Sequence, residues 1–196
     1  MTVIAGVLAA LAVAIGLVAG RTAEQEVRRL LQLLAVRDGM HLAEIGAGTG
    51  WLTVEVAGYL GDTGRLYSTE LSQRRLSRLR EVVADAGLGN VVVTEAGEHT
   101  ANLPAGCCEA AFMRRVYHHF ENPPMILRDL HHALLEGGRL VIVEFEPAGL
   151  LGTVARMGID RARLTAEVNA NGFELVRIDD WPGWGHYVAV FVKSGQ

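Results

Sequence analysis

The densest chemistry in the chain lies between His41 and Thr53, HLAEIGAGTGWLT, where Glu44, Gly46, Gly48 and Gly50 stand at every second position. Only Ala47 and Thr49 separate the glycines, so the turn carries almost no bulk and its backbone can approach a ligand closely. The stretch reads as a short strand, a tight turn and the start of a helix. At the carboxyl end of a strand in an open α/β sheet, such a turn binds nucleotide-like molecules. Glu44 places a negative charge two residues before the first glycine, which suits a cationic or zwitterionic ligand and suits a pyrophosphate poorly. A second loaded stretch, Arg114-Arg115-Val116-Tyr117-His118-His119-Phe120, follows a predicted fourth strand. That strand end lies beside the first in a doubly wound sheet, so Tyr117, His118 and His119 are the nearest candidates for a base. Shaping the cleft or capping the next helix is the competing role for the histidine pair. His118, His119, His131 and His132 have no Cys or Asp at ligand spacing, and no metal is expected.

The elements that must position these groups follow from periodicity and punctuation. Residues 22–35 show apolar positions at Val27, Leu30, Leu31, Leu33 and Leu34 among Glu, Gln and Arg, the pattern of an amphipathic helix covering a sheet edge. Strands are expected over 41–45, 65–69, 90–94, 108–113 and 139–144, with helices over 51–60, 71–86, 122–135 and 160–171 between or after them. Ser72 is placed to cap the second of these helices, and Pro123-Pro124 fits the first turn of the third. Glu70 ends the second strand, where a carboxylate can accept both hydroxyls of a ribose. Glu144 and Glu146 end the fifth strand, placed to meet substrate or to pair with Arg114 or Arg115. Two last apolar runs, 173–178 and 187–192, are joined by a link containing Trp181 and Trp184, which either line an acceptor pocket or pack at its rim.

The pattern E-x-G-x-G-x-G with Glu70 after the next strand resembles the class I S-adenosylmethionine-dependent methyltransferases, and the LEGGRL turn at Leu135–Leu140 extends the resemblance. It covers about residues 22–193. The resemblance implies an α/β, Rossmann-like seven-stranded sheet, mostly parallel with an antiparallel last strand and helices on both faces. It implies S-adenosyl-L-methionine as cofactor, contacted by Glu44, Gly46, Ala47, Gly48, Gly50, Glu70, Leu71, Gly97, Glu98 and Arg114. Ala96-Gly97-Glu98 resembles the family's loop beside the adenine, with glutamate where aspartate is more usual. The first amides of the helix after the glycine turn would face the carboxylate of the cofactor. Methyl transfer to a small-molecule or lipid-like acceptor is the implied reaction, and orientation rather than acid-base chemistry is its main requirement. A nicotinamide-dependent oxidoreductase is the alternative use of such a turn, opposed by Glu44 and the closing hairpin. A non-catalytic cofactor-binding protein is the other.

Composition sets the outer bounds. The 196 residues suffice for one domain with a real core. A formal net charge of -4 offers no global attraction to nucleic acid, and none is expected as a partner. Cys107 and Cys108, neighbours in the chain, are expected as separate buried thiols, since adjacent cysteines rarely bridge. Residues 1–20 carry no charged side chain, and the apolar run 3–20 would span about 27 Å as a helix. A single transmembrane helix preceding a methyltransferase domain at 21–196 is therefore expected, with Arg21, Arg28, Arg29 and Arg37 placing that domain on the cytoplasmic side. Export after signal cleavage at Val18-Ala19-Gly20 is the alternative. Ala12, Gly16 and Gly20 recur every four residues and would let the segment pair in a homo-oligomer.

Overall fold

The computed structural model describes residues 23–147, 158–182 and 185–195. Seven strands form one sheet in the order β3-β2-β1-β4-β5-β7-β6. They are β1 (His41–Ile45), β2 (Arg65–Glu70), β3 (Val91–Glu95), β4 (Cys108–Arg114), β5 (Leu134–Phe145), β6 (Phe173–Asp180) and β7 (His186–Lys193). The first five pair in parallel, while β7 runs antiparallel to both β5 and β6. Between them lie α1 (residues 23–34), α2 (Trp51–Ala57), α3 (Gln73–Asp85), α4 (Pro123–Ala133) and α5 (Arg161–Asn169). The expected seven-stranded Rossmann-like architecture is the one observed.

Strand periodicity explains why both faces hold. Leu42, Ala110, Phe112, Val141, Val143, Val188 and Val190 pack with Val27, Leu30 and Leu34 of α1 and with Leu52 and Val56 of α2. The alternate positions Ala43, Ala111, Met113, Leu140, Ile142, Ala189 and Phe191 pack with Ile126, Leu127 and Leu130 of α4 and Leu164 and Val168 of α5. Side chains two apart share a face, so a strand stretch buried on both sides must be apolar at successive positions, as Ala110 to Met113 of β4, Leu140 to Val143 of β5 and Tyr187 to Phe191 of β7 are.

Three expectations change. Strand β5 begins at Leu134 rather than after the glycine pair: Leu134 pairs with Cys108 and Arg139 with Ala110, so the Gly137-Gly138 turn survives as a bulge inside the strand. Gly137 adopts φ +70°, which only glycine takes without strain. Cys107 and Cys108 are joined in a disulfide instead of standing as separate thiols. The membrane placement, and with it a membrane partner, is corrected: no helix among the described residues is long and apolar enough to cross a membrane. Residues 3–20, on which that expectation rested, lie outside the described residues, as do Trp184 and most of the short 148–159 segment expected to supply a lid.

Candidate functional site

The carboxyl ends of β1, β2 and β4 open into a cavity of about 810 Å³, within the range of small-molecule sites. The glycine turn forms its floor. Gly46, Gly48 and Gly50 all have positive φ, at +72°, +62° and +86°. Their surroundings differ: a Cβ at Gly46 would strike Val116 and one at Gly50 would strike Leu79, whereas a Cβ at Gly48 would meet nothing within 4 Å. Gly46 and Gly50 therefore allow the turn to pack, and Gly48 keeps clear the space that a ligand would fill.

Two acidic side chains support the turn from below. Glu70 is 3% exposed and accepts from the Gly48 amide at 2.9 Å, from the Ser72 amide at 2.9 Å and from Arg75 Nε at 3.1 Å. One carboxylate thus ties the glycine turn of β1 to the end of β2, and four lone-pair positions leave acceptor capacity toward the cavity. Glu44 is equally buried, and one of its oxygens accepts from Thr53 Oγ1 at 2.5 Å and Ser68 Oγ at 2.8 Å. Burial pushes its carboxyl up to about 7, against the pull of these two hydroxyls. Leu71, Gly97 and Glu98 line the opposite wall with Ala96. Asp129 of α4 holds that wall by accepting from the Ala101 amide at 2.6 Å and Thr100 Oγ1 at 3.0 Å.

The second stretch divides. His118 and His119 line the cavity with their rings 4.0 Å apart. Tyr117 does not: its ring is buried against α4 and β7, and its hydroxyl donates to Glu167 of α5 at 2.9 Å. That burial and the neighbouring carboxylate push its phenol well above the ordinary range, so it is no base. A 3₁₀ turn over Tyr117–His119 produces the split, sending consecutive side chains in different directions. His118 Nδ1 lies 2.9 and 3.0 Å from the two oxygens of Glu144, which is fully buried. Burial, and then the charge of His118, lower the proton affinity of His119.

Arg114 also lines the cavity, but its guanidinium is claimed by Glu26 of α1, Nη2 donating at 3.1 Å alongside a closer Nε contact. Glu26 Oε1, the oxygen that accepts from Arg114 Nε, also accepts from Trp181 Nε1 at 3.1 Å, while Nη2 donates to Oε2. Trp181 is 4% exposed beneath Arg29, and its role is packing. Neither Glu144 nor Glu146 pairs with Arg114; Glu146 holds Arg161 at 2.8 Å. Sequence reasoning missed Glu26, Arg75 and the wall residues Trp51, Val116 and Phe145. Only Trp51, next to the last glycine, carried a local signal.

A family model described as a methyltransferase domain matches residues 43–142, just over half of the chain. The chain is 30% identical over 119 residues to the ubiquinone/menaquinone biosynthesis C-methyltransferase UbiE of Saccharophagus degradans, covering 59% of this chain and 47% of that protein. For the protein of the same name from Pseudomonas fluorescens, identity is 31% over 122 residues, 60% of this chain and 46% of the relative. The chain thus spans about half the length of the curated relatives it matches. Among solved structures, a SAM dependent methyltransferase from Aquifex aeolicus superposes with a TM-score of 0.77 at 18% identity, over 86% of this chain and 89% of that one. The [4+2]-cyclase SpnF gives 0.76 at 16%, over 90% and 83%. At such identity these two show a shared fold, which hosts more than one chemistry. The matched span runs from inside β1 to inside β5 and contains the glycine turn, Glu70 and the His118–His119 turn, and on it the chain belongs to the methyltransferase-domain family.

Proposed function

We propose that residues 21–196 form a domain that transfers a methyl group from S-adenosyl-L-methionine to a small-molecule acceptor by in-line displacement. The observation that carries this reading is the open space above Gly48, bounded by the turn and by Glu70, which a side chain would fill and a nucleoside can occupy. Glu70 presents its remaining lone pairs to the ribose hydroxyls, and Ala96 to Glu98 flank the adenine. Gly46, Ala47, Gly48 and Gly50 supply close backbone approach. Glu44 places a carboxylate under the cationic part of the cofactor, an arrangement hostile to a pyrophosphate. When bound, the cofactor supplies an electrophilic methyl on a sulfonium; the chain supplies orientation and exclusion of water. The two relatives named as C-methyltransferases support a carbon nucleophile in the acceptor.

Calorimetric titration with S-adenosylmethionine tests the reading. Wild type is expected to bind, and Gly48→Val to lose at least tenfold in affinity while keeping a cooperative melt, because the β-branched side chain intrudes on the site and is strained at positive φ. Equal affinity in both proteins, or preference for a nicotinamide dinucleotide, would sink it.

A further inference from the structure

From the pairing of His118 with a carboxylate that has no access to solvent, we infer that His118 and Glu144 act as a general-base dyad on an acceptor whose nucleophile is an O–H or the carbon of an enol or phenol. Arg115 holds the anion that results. This rests on the methyl-transfer reading above and names the acceptor class it serves.

Glu144 accepts from His118 Nδ1 with both oxygens, and its own position is fixed by the Phe145 amide at 3.3 Å. A carboxylate on Nδ1 holds the neutral ring in the tautomer that carries its proton there, leaving the Nε2 lone pair as an acceptor. No hydrogen bond to Nε2 forms among the described residues, and the ring lines the cavity shared with the glycine turn. Phe145 fixes the ring plane edge-on at 5.1 Å. A carboxylate buried at the end of a strand is costly to keep for packing alone, and a partner that becomes cationic offsets that cost.

The charged groups around the dyad favour that assignment. His119, from the same turn, is held toward its neutral form by burial, by His118 and by Arg75 of α3, against the pull of Glu144. Tyr187 of β7 pairs with Glu144 across the sheet, and burial first and that carboxylate second discourage its ionisation. Arg115 lines the cavity at φ +55°, fixed by its amide on the Val143 carbonyl at 2.7 Å. Unlike Arg114, its guanidinium has no ion-pair partner among the described residues. Non-glycine residues persist at positive φ where the surroundings impose it, and here the result is an unclaimed cation beside the base.

The step balances without a further reactant. The X–H bond of the acceptor breaks, its proton goes to His118 Nε2, and the imidazolium is stabilised by Glu144. For an oxygen nucleophile the pair left on oxygen forms the bond to the methyl carbon. For the carbon of an enol or phenol that pair closes the C=O bond, the C=C π pair forms the bond to the methyl carbon, and the C–H proton on the methylated carbon is then lost to water. In both cases the carbon–sulfur bond breaks and its pair remains on sulfur. His118 then returns the proton to solvent through the open cavity.

The test uses 4-cyanophenol as a probe, its phenolate absorbance read at neutral pH in full-length protein saturated with S-adenosylhomocysteine. Wild type is expected to raise the ratio of ionised to neutral bound probe at least tenfold over that of free probe. His118→Asn and Arg115→Met are each expected to remove about a factor of ten, with S-adenosylmethionine affinity within twofold of wild type. Nitrogen-15 NMR of His118 gives a second readout: Nδ1 protonated in the neutral ring, with Glu144→Gln weakening that tautomer preference. Arg115→Met alters an exposed side chain and keeps the test alive should Glu144→Gln fail to fold. If S-adenosylmethionine binds but the probe stays neutral or unbound, the dyad is overturned and the cofactor reading stands. If S-adenosylmethionine fails to bind, both fall.

Discussion

At the scale of single residues, the turn and its two carboxylates were visible in the order of the letters, whereas their division of labour was not. Glu44 and Glu70 look alike in sequence, yet Glu70 is held by two amides and an arginine and Glu44 only by two hydroxyls in a dry site. Burial without a cation is what raises Glu44 to about 7. The sign follows: below about pH 7 the unliganded carboxyl is protonated, and a cation beside it expels that proton. Affinity for S-adenosylmethionine is therefore expected to rise up to tenfold per pH unit approaching 7 and to level off above it, and Glu44→Gln to flatten the profile. A pH-independent affinity in wild type would contradict this. The same raised value means the Glu44 contribution to folding is present below the ordinary carboxyl range and is lost as pH climbs through about 7. Tyr117 shows the reverse failure of a local reading. Adjacent to two cavity histidines, it looked equally chemical, but one residue of rotation in a 3₁₀ turn buries it beside Glu167.

At the scale of elements, α1 is more than a cover for the sheet edge. Its apolar face is the legible part, with Val27, Leu30 and Leu34 at helical spacing and all buried. Its polar contribution is Glu26, which joins Arg114 at the end of β4 to Trp181 at the end of β6. Removing it leaves a mostly buried guanidinium and an indole N–H without an acceptor. Glu26→Ala is expected to cost about 2 kcal/mol in denaturant unfolding. Arg114, which also lies over Trp51 at 5.5 Å, would then shift toward the cavity and perturb cofactor affinity. A change below about 0.5 kcal/mol would show the contact to be ornamental. No spacing in the sequence announces a pair separated by so many residues. Likewise the early start of β5 was hidden because glycines read as a turn, and a bulge is a turn the neighbouring strand absorbs.

At the scale of the whole molecule, the order of strands decides both the site and the stability gradient. β1 and β4 sit in the middle with neighbours on both sides, while β3 and β6 form the edges, β3 only half-buried. Hydrogen exchange is expected to be slowest in β1, β4, β5 and β7 and at least tenfold faster in β3, and uniform protection across the sheet would contradict the picture. Because β1 and β4 are adjacent, the glycine turn and the His118 turn, far apart in the chain, open into one cavity. What the sequence determined by itself were the elements and the cofactor turn, since glycine conformation, strand periodicity and helix spacing are local properties of neighbouring letters. Only the tertiary structure decided that Glu144 would serve His118, that Glu26 would claim Arg114 and leave Arg115 without an ion pair, and that Tyr117 would turn away. Each of these depends on which distant side chain shares a low-dielectric space, and that is set by sheet order and packing rather than by spacing along the chain.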